Sequence, residues 1–165
     1  MAAKPDNYDA QGFALRGEKN RFALPPDFRN AIVERSGERV LCLAKHEKWN
    51  CLTGFDLSHA ARIEQTLAEE EERAFKFNRD FDRDLRAMQL YGFTRVPFDA
   101  SGRFILPDFL SDLGNFGDAV YLHGLGETFT LWNPEELETM GDAFAGARAT
   151  CRNMHQAALA KAKKK

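Results

Sequence analysis

Short apolar runs set around polar turns dominate the first third of the chain. From Gly12 to Leu24, GFALRGEKNRFAL places two strand-like pieces around GEKN and predicts a hairpin. The prolines of PPDF then end the second piece, because proline supplies no amide donor to a ladder. The stretch 40–52, VLCLAKHEKWNCL, sets two β-rich pieces around a charged turn and reads as a second hairpin. The same plan returns later. FTRVPFDASGRFIL gives strand, turn and strand around DASG; PDFLSDLG follows; AVYLHGLGETFTLW gives a hairpin around HGLGE. Gly124 and Gly126 belong to that last turn, where a positive φ favours glycine.

Helical spacing takes over between and after these segments. In 57–90, Leu57, Ile63, Leu67, Ala74, Phe77, Phe81, Leu85 and Met88 recur at mostly three- and four-residue intervals, with Glu and Arg opposite. One helix fits, and so do two with a break near Glu72. Asp80, Asp82 and Asp84 in FNRDFDRDLR are expected to form intrahelical pairs with the neighbouring arginines. In the tail, Asn133 can cap a helix that has Pro134 at its first position. Leu137, Met140, Phe144, Ala147, Cys151 and Met154 then form an apolar stripe for the core or an oligomer contact. The closing KAKKK is expected to fray into solvent.

RFALPPDF at 21–28 and RFILPDF at 103–109 are nearly one phrase written 82 positions apart. Because the element order also matches around each, an internal duplication is the economical reading. The expected division is a 1–10 arm, a first repeat at 11–57, a helical connector at 58–90, a second repeat at 91–135, and a helix with a basic tail at 136–165.

Composition excludes more than it suggests. With 44% hydrophobic and 29% charged residues in 165, the chain is an ordinary globular one. It offers no apolar leader and no run near the roughly 20 apolar residues of a membrane span, so a cytoplasmic protein is expected. Cys42, Cys51 and Cys151 form no CxxC pair and read as small core residues. The four histidines lack partners at metal-ligand spacing, and no nucleophile elbow or phosphate loop is present. No catalytic site, cofactor, metal or small-molecule substrate is expected. The net charge of −2 hides an uneven distribution. Between Phe13 and Lys45, seven bases face four acids, whereas Asp56 to Leu90 carries nine acids against six bases. A basic surface therefore survives an acidic total.

The segment 93–137, with its turn Asp99-Ala100-Ser101-Gly102-Arg103 and Pro107, closely resembles the second repeat of the MraZ family of bacterial transcriptional regulators. RGEKNRFALPPDFRNAI resembles the first repeat more loosely, through Lys19, Arg21, Pro25, Phe28 and Arg29. The resemblance implies an α+β fold: a pseudo-dimeric, AbrB-like swapped-hairpin β-barrel built from two repeats, with helices between them and at the C-terminus. It also implies a homo-oligomeric ring that binds direct repeats in double-stranded promoter DNA of the division and cell-wall gene cluster, placing the protein at the nucleoid. A β-element can carry such recognition without a recognition helix, since an arginine fork suits guanine edges and phosphates alike.

The first copy departs from the family turn. Gly17 replaces its aspartate, and Asn20, which tolerates the left-handed region, replaces its glycine. The second copy keeps the turn but carries few cations, so Asp99 is expected to order the turn and pair with Arg103. The expected DNA contacts are Arg16, Lys19, Arg21 and Arg29, with Arg103 second. Gly17, Asn20, Asp99, Gly102, Pro25 and Pro107 are expected to shape the turns. The alternative is a ring-forming structural or interaction protein whose DNA binding is weak or lost; an AbrB-type antitoxin fits less well, because two modules are present.

Overall fold

Proline, glycine and the strand-forming runs divide each repeat in the same way. The computed structural model describes residues 7–164. The first repeat contains β1 (Gln11–Leu15), β2 (Arg21–Ala23), α1 (Pro26–Ser36), β3 (Val40–Lys45) and β4 (Leu52–Phe55). A connector of α2 (Leu57–Ala60), α3 (Ile63–Lys76) and α4 (Arg83–Leu90) follows. The second repeat runs β5 (Thr94–Pro97), β6 (Arg103–Ile105), α5 (Asp108–Leu113), β7 (Ala119–Gly124) and β8 (Phe129–Trp132), before α6 (Pro134–Glu138) and α7 (Ala145–Lys163).

The β3–β4 and β7–β8 hairpins form as expected. The first expected hairpin does not. β1 pairs with β7 and β2 with β6, while β5 pairs with β3. Each copy thus gives its first strand to the other copy's hairpin. A six-stranded antiparallel sheet in the order β1-β7-β8-β4-β3-β5 results, beside a two-stranded β2–β6 ribbon. Exchanging each strand for its counterpart reverses this order onto itself, with β4 and β8 meeting at its centre. The physical reason is burial. An isolated two-stranded hairpin is marginal, whereas the exchange gives both first strands a partner over a shared core. The turn bonds keep the hairpin's memory: Gly17 N–H donates to Arg21 O at 2.7 Å and Asp99 N–H to Arg103 O at 3.0 Å.

One core cluster joins Phe22, Leu24, Phe28 and Ile32 from the first copy to Phe104, Leu106, Leu110 and Leu122 from the second. Helices α1 and α5 lie inside the repeats, where the alternation of the flanking strands gave no sign of them. Their signals are local: Pro26 in the first turn, and Gly37 at φ 77° closing α1 with its amide on Val33 O at 2.8 Å. The face holding Phe28, Ala31 and Ile32 is buried.

A second cluster collects Cys51, Tyr121, Trp132, Leu137 and Cys151, with Met140, Phe144, Ala147 and Met154 against it. The tail stripe is therefore core, but it is not one helix. Asn133 caps α6 by accepting from Glu135 N–H at 3.1 Å; the chain then breaks at Gly141 before α7 starts. The lysines do not fray at once, since α7 continues through Lys163, and Lys165 lies outside the described residues. All three cysteines are buried free thiols.

The connector also differs from expectation. Its main break falls at 77–82, not near Glu72, with Asn78 at φ 55° and Asp82 capping α4 through Leu85 N–H at 3.1 Å. Glutamate is a good helix former, so the EEEE run stays inside α3. The arginines reach away from their own helix: Arg83 pairs with Glu64 of α3 at 2.7 Å, and Arg86 with Glu70 of α3 at 2.8 Å and with Glu47 in the β3–β4 turn at 2.6 Å. Gly126 has φ +99° as the turn requires, but Gly124 does not. Its reason is close approach, because a Cβ there would stand 2.3 Å from Tyr8 O.

Residues 1–6 of the expected arm lie outside the described residues, but Tyr8 is core. Its hydroxyl donates to Asp56 Oδ2 at 2.6 Å, and Arg35 Nε donates to the same oxygen at 2.7 Å. Asp56 also caps α2 through Ser58 N–H at 2.8 Å. No helix among the described residues is long and apolar enough to cross a membrane.

Candidate nucleic-acid interface

The two matching phrases pair with each other. In the ribbon, Arg21 stands opposite Ile105, Phe22 opposite Phe104, and Ala23 opposite Arg103. Because side chains alternate along a strand, Phe22 and Phe104 turn inward, their ring centroids 6.2 Å apart, and anchor the ribbon on the core. Arg21, Ala23, Arg103 and Ile105 are all exposed on the outer side. The two arginines are diagonal neighbours, about 7–8 Å apart at such positions. They line one shallow depression of about 220 Å³ with Pro97, Asp99 and Ile105. Two cations from distant parts of the sequence thus share one outward face.

The turns feeding the ribbon are built differently. In the second, Asp99 Oδ1 accepts from the Ser101 and Arg103 amides at 2.9 Å each, and Oδ2 accepts from Arg103 Nε at 2.8 Å. The Arg103 amide foremost, with its guanidinium and the Ser101 amide, holds the exposed Asp99 carboxyl below the ordinary carboxylate range. Gly102 sits at φ +84°, and a Cβ there would stand 2.7 Å from Leu24 O. In the first turn Lys19 and Asn20 take φ 57° and 60°. Asn20 fills the place of Gly102: Leu106 N–H donates to Asn20 O at 3.1 Å, as Leu24 N–H does to Gly102 O at 2.8 Å. Its side chain adds a bond from Nδ2 to Leu106 O at 2.6 Å. Gly17 offers no carboxylate, so Arg21 and Lys19 make no side-chain hydrogen bond or ion pair among the described residues.

Gly102→Ala is expected to destabilise the fold by more than the roughly 1–2 kcal/mol that a left-handed backbone costs an L-residue. The added Cβ also crowds the Leu24 carbonyl, so thermal unfolding should report a lower midpoint.

A protein of Gluconacetobacter diazotrophicus named transcriptional regulator MraZ is 30% identical over 122 residues, covering 73% of this chain and 74% of its own length. Another of that name, from Saccharophagus degradans, is 31% identical over 117 residues, or 71% of this chain and 76% of its own. This chain belongs to the MraZ family. A third relative so named, from Caulobacter vibrioides, is 29% identical over 142 residues and spans 86% of the chain. No protein-family model matches the chain.

Within this chain the expected contact residues take three positions. Lys19, Arg21 and Arg103 are exposed around the ribbon. Arg16 points inward: its guanidinium lies 5.6 Å from the Phe22 ring centre and reaches Ser111 Oγ at 3.4 Å. Arg29, half-buried on α1, donates from Nη1 to Ser101 O at 2.6 Å. It thereby braces the second turn with a residue of the first repeat. Pro25 and Pro107 stand at the starts of α1 and α5, where each chain leaves its ribbon strand. Among the seven bases between Phe13 and Lys45, one outside the expected contact set also matters here. Arg39, exposed just before β3, donates no side-chain bond among the described residues and lies beside the second turn. Its proximity to Asp99 follows from β3 pairing with β5, which no local pattern announces.

Proposed function

We propose that this member of the MraZ family is a sequence-specific DNA-binding transcriptional regulator of the division and cell-wall gene cluster, engaging promoter direct repeats as a homo-oligomeric ring. The observation that carries this reading is the β2–β6 ribbon, which sets Arg21 and Arg103 on one exposed face over a buried Phe22–Phe104 base. In this proposal the two sheets close as a pseudo-dimeric, AbrB-like swapped-hairpin barrel, and the protein associates with the nucleoid. A two-stranded ribbon fits a major groove about 12 Å wide, where an arginine can bond guanine O6 and N7 together. Lys19 adds a phosphate contact, while Arg16 packs behind the ribbon on Phe22 and Arg29 holds the second turn.

So few cations per chain make a weak binder, because affinity grows with the phosphates neutralised. A ring on consecutive repeats raises avidity by roughly 10²–10⁴ when the spacing matches. Phe75 and Met88, 85% and 67% exposed, stand with Phe77 and Leu85 on α3, α4 and their link. Exposed apolar surface of this kind suits contact between chains.

A gel shift on DNA upstream of the protein's own gene, with sedimentation of the free protein, tests both parts. An oligomer that shifts this DNA in a salt-sensitive way, and prefers consecutive repeats, is expected. Tight binding of one isolated repeat by a monomer at physiological salt would overturn the ring. An oligomer that shifts no promoter DNA would leave the structural-ring reading.

A further inference from the structure

The two halves of the molecule share their backbone plan but not their charge. Phe98 N–H donates to Arg39 O at 3.1 Å where β5 meets β3; Arg16 N–H donates to Asp118 O at 2.7 Å where β1 meets β7. Arg39 and Asp118 are therefore counterparts, each just before the strand that receives the other copy's first strand, and both are exposed. Around the second turn, Arg39 and Arg29 line a depression of about 360 Å³ with Glu34, Asp99 and Ala100. Asp99 also lines the depression that holds Arg21 and Arg103, so the two hollows adjoin. Charge then runs unevenly across this surface. Asp118 stands on one side; Lys19 and Arg21, with Glu18, belong to the first turn and its strand; Arg103 and Asp99 pair at the second turn; Arg39, next to Glu38, stands on the other side. Glu34 offsets part of the last region and makes no ion pair among the described residues.

We propose that Arg39 contacts a backbone phosphate beyond the second turn, and that its pairing by position with Asp118 fixes the polarity in which duplex DNA lies across the ribbon. The inference rests on the DNA-binding reading above. Evenly charged halves would accept the duplex in both directions; this pair lets the phosphate track extend on the Arg39 side and cuts it short at Asp118. A directional element suits head-to-tail DNA repeats, whereas a true two-fold would suit palindromes.

The experiment combines fluorescence anisotropy over a salt series with hydroxyl-radical footprinting on one promoter repeat in unrelated flanking sequence. Arg39→Gln is expected to lower the slope of log affinity against log salt by about one, equally on specific and scrambled DNA. Arg39→Lys keeps the charge and should keep the slope. Wild type should protect more backbone sugars on one flank; Arg39→Gln should lose that excess, and Arg39→Asp combined with Asp118→Arg should move it to the opposite flank. Circular dichroism checks that each variant is folded. If Arg21→Ala weakens binding while Arg39→Gln changes neither slope nor footprint, this inference falls and the DNA-binding reading stands. If wild type binds no promoter DNA, both fall.

Discussion

Asp56→Ala is expected to cost about 3–5 kcal/mol of stability, the range for breaking a buried ion pair from one side. The Asp56 carboxylate is fully buried and takes hydrogen bonds from Tyr8 Oη, Arg35 Nε, Ser58 Oγ and the Ser58 and His59 amides. It joins the N-terminal segment, α1 and the start of the connector at one point. Alanine would leave the Arg35 guanidinium, 11% exposed, without this partner, and would remove the α2 cap. Urea unfolding should show a lower midpoint with little change in slope. Tyr8→Phe, which removes one donor and leaves the pair intact, should cost nearer 1 kcal/mol. Equal losses in the two variants would contradict this account of the site.

The same carboxyl sets an acid limb. Burial alone would raise its pKa, but the hydrogen bonds from Ser58, Tyr8 and Arg35 outweigh burial and hold it below the ordinary value. A carboxyl lowered by folding contributes stability that is fully present above the unfolded pKa of about 4 and is lost as pH falls through the folded value. Asp56→Asn should therefore flatten the decline in stability below about pH 4. An unchanged acid limb would mean that other carboxyls control it.

Arg21→Ala is expected to weaken specific DNA binding by about 1–3 kcal/mol per contact, or roughly 5- to 150-fold, the range for a bidentate base contact. The decisive comparison is with the second copy. Arg103 is already bonded to Asp99, whereas Arg21 has no such partner among the described residues. Arg103→Ala alone would bare the Asp99 carboxylate toward the DNA, so Asp99→Asn with Arg103→Ala is the proper control, and it should lose less than Arg21→Ala. Gly17→Asp tests the idea from the other side. Position 17 has φ −95°, and among the described residues an added Cβ meets only Arg21 O, at 3.5 Å, so aspartate fits. It would restore the turn's aspartate while tying up Arg21, and binding should fall. A gain in binding on restoring the aspartate would show that an ordered turn matters more than a free charge.

The β3–β4 and β7–β8 hairpins were legible because their partners lie a few residues away and their apolar runs flank obvious turns. The same reasoning failed for GFAL and RFAL. Alternation marks a strand but does not name its partner, and the exchanged pairing is chosen by the core that both copies fill. Helices α1 and α5 were lost between stronger β signals, although Pro26 and Gly37 mark the ends of α1. The connector's helical period is legible over most of its length, and its break lies beyond the glutamate run because Asn78 and Asp82 are weaker local signals.

The sequence by itself determined the duplication, the strand-forming and helical segments, the turn built on Asp99 and Gly102, and the excess of cations in the first copy. These are properties of neighbours along the chain. Tertiary structure alone decided that the two arginine phrases lie side by side, that Arg16 turns inward, and that Arg29 and Arg39 of the first copy stand beside the turn of the second. The reason is the exchange of first strands: each outer surface is assembled from both copies, so the charge around a turn is set by residues that its own repeat does not contain.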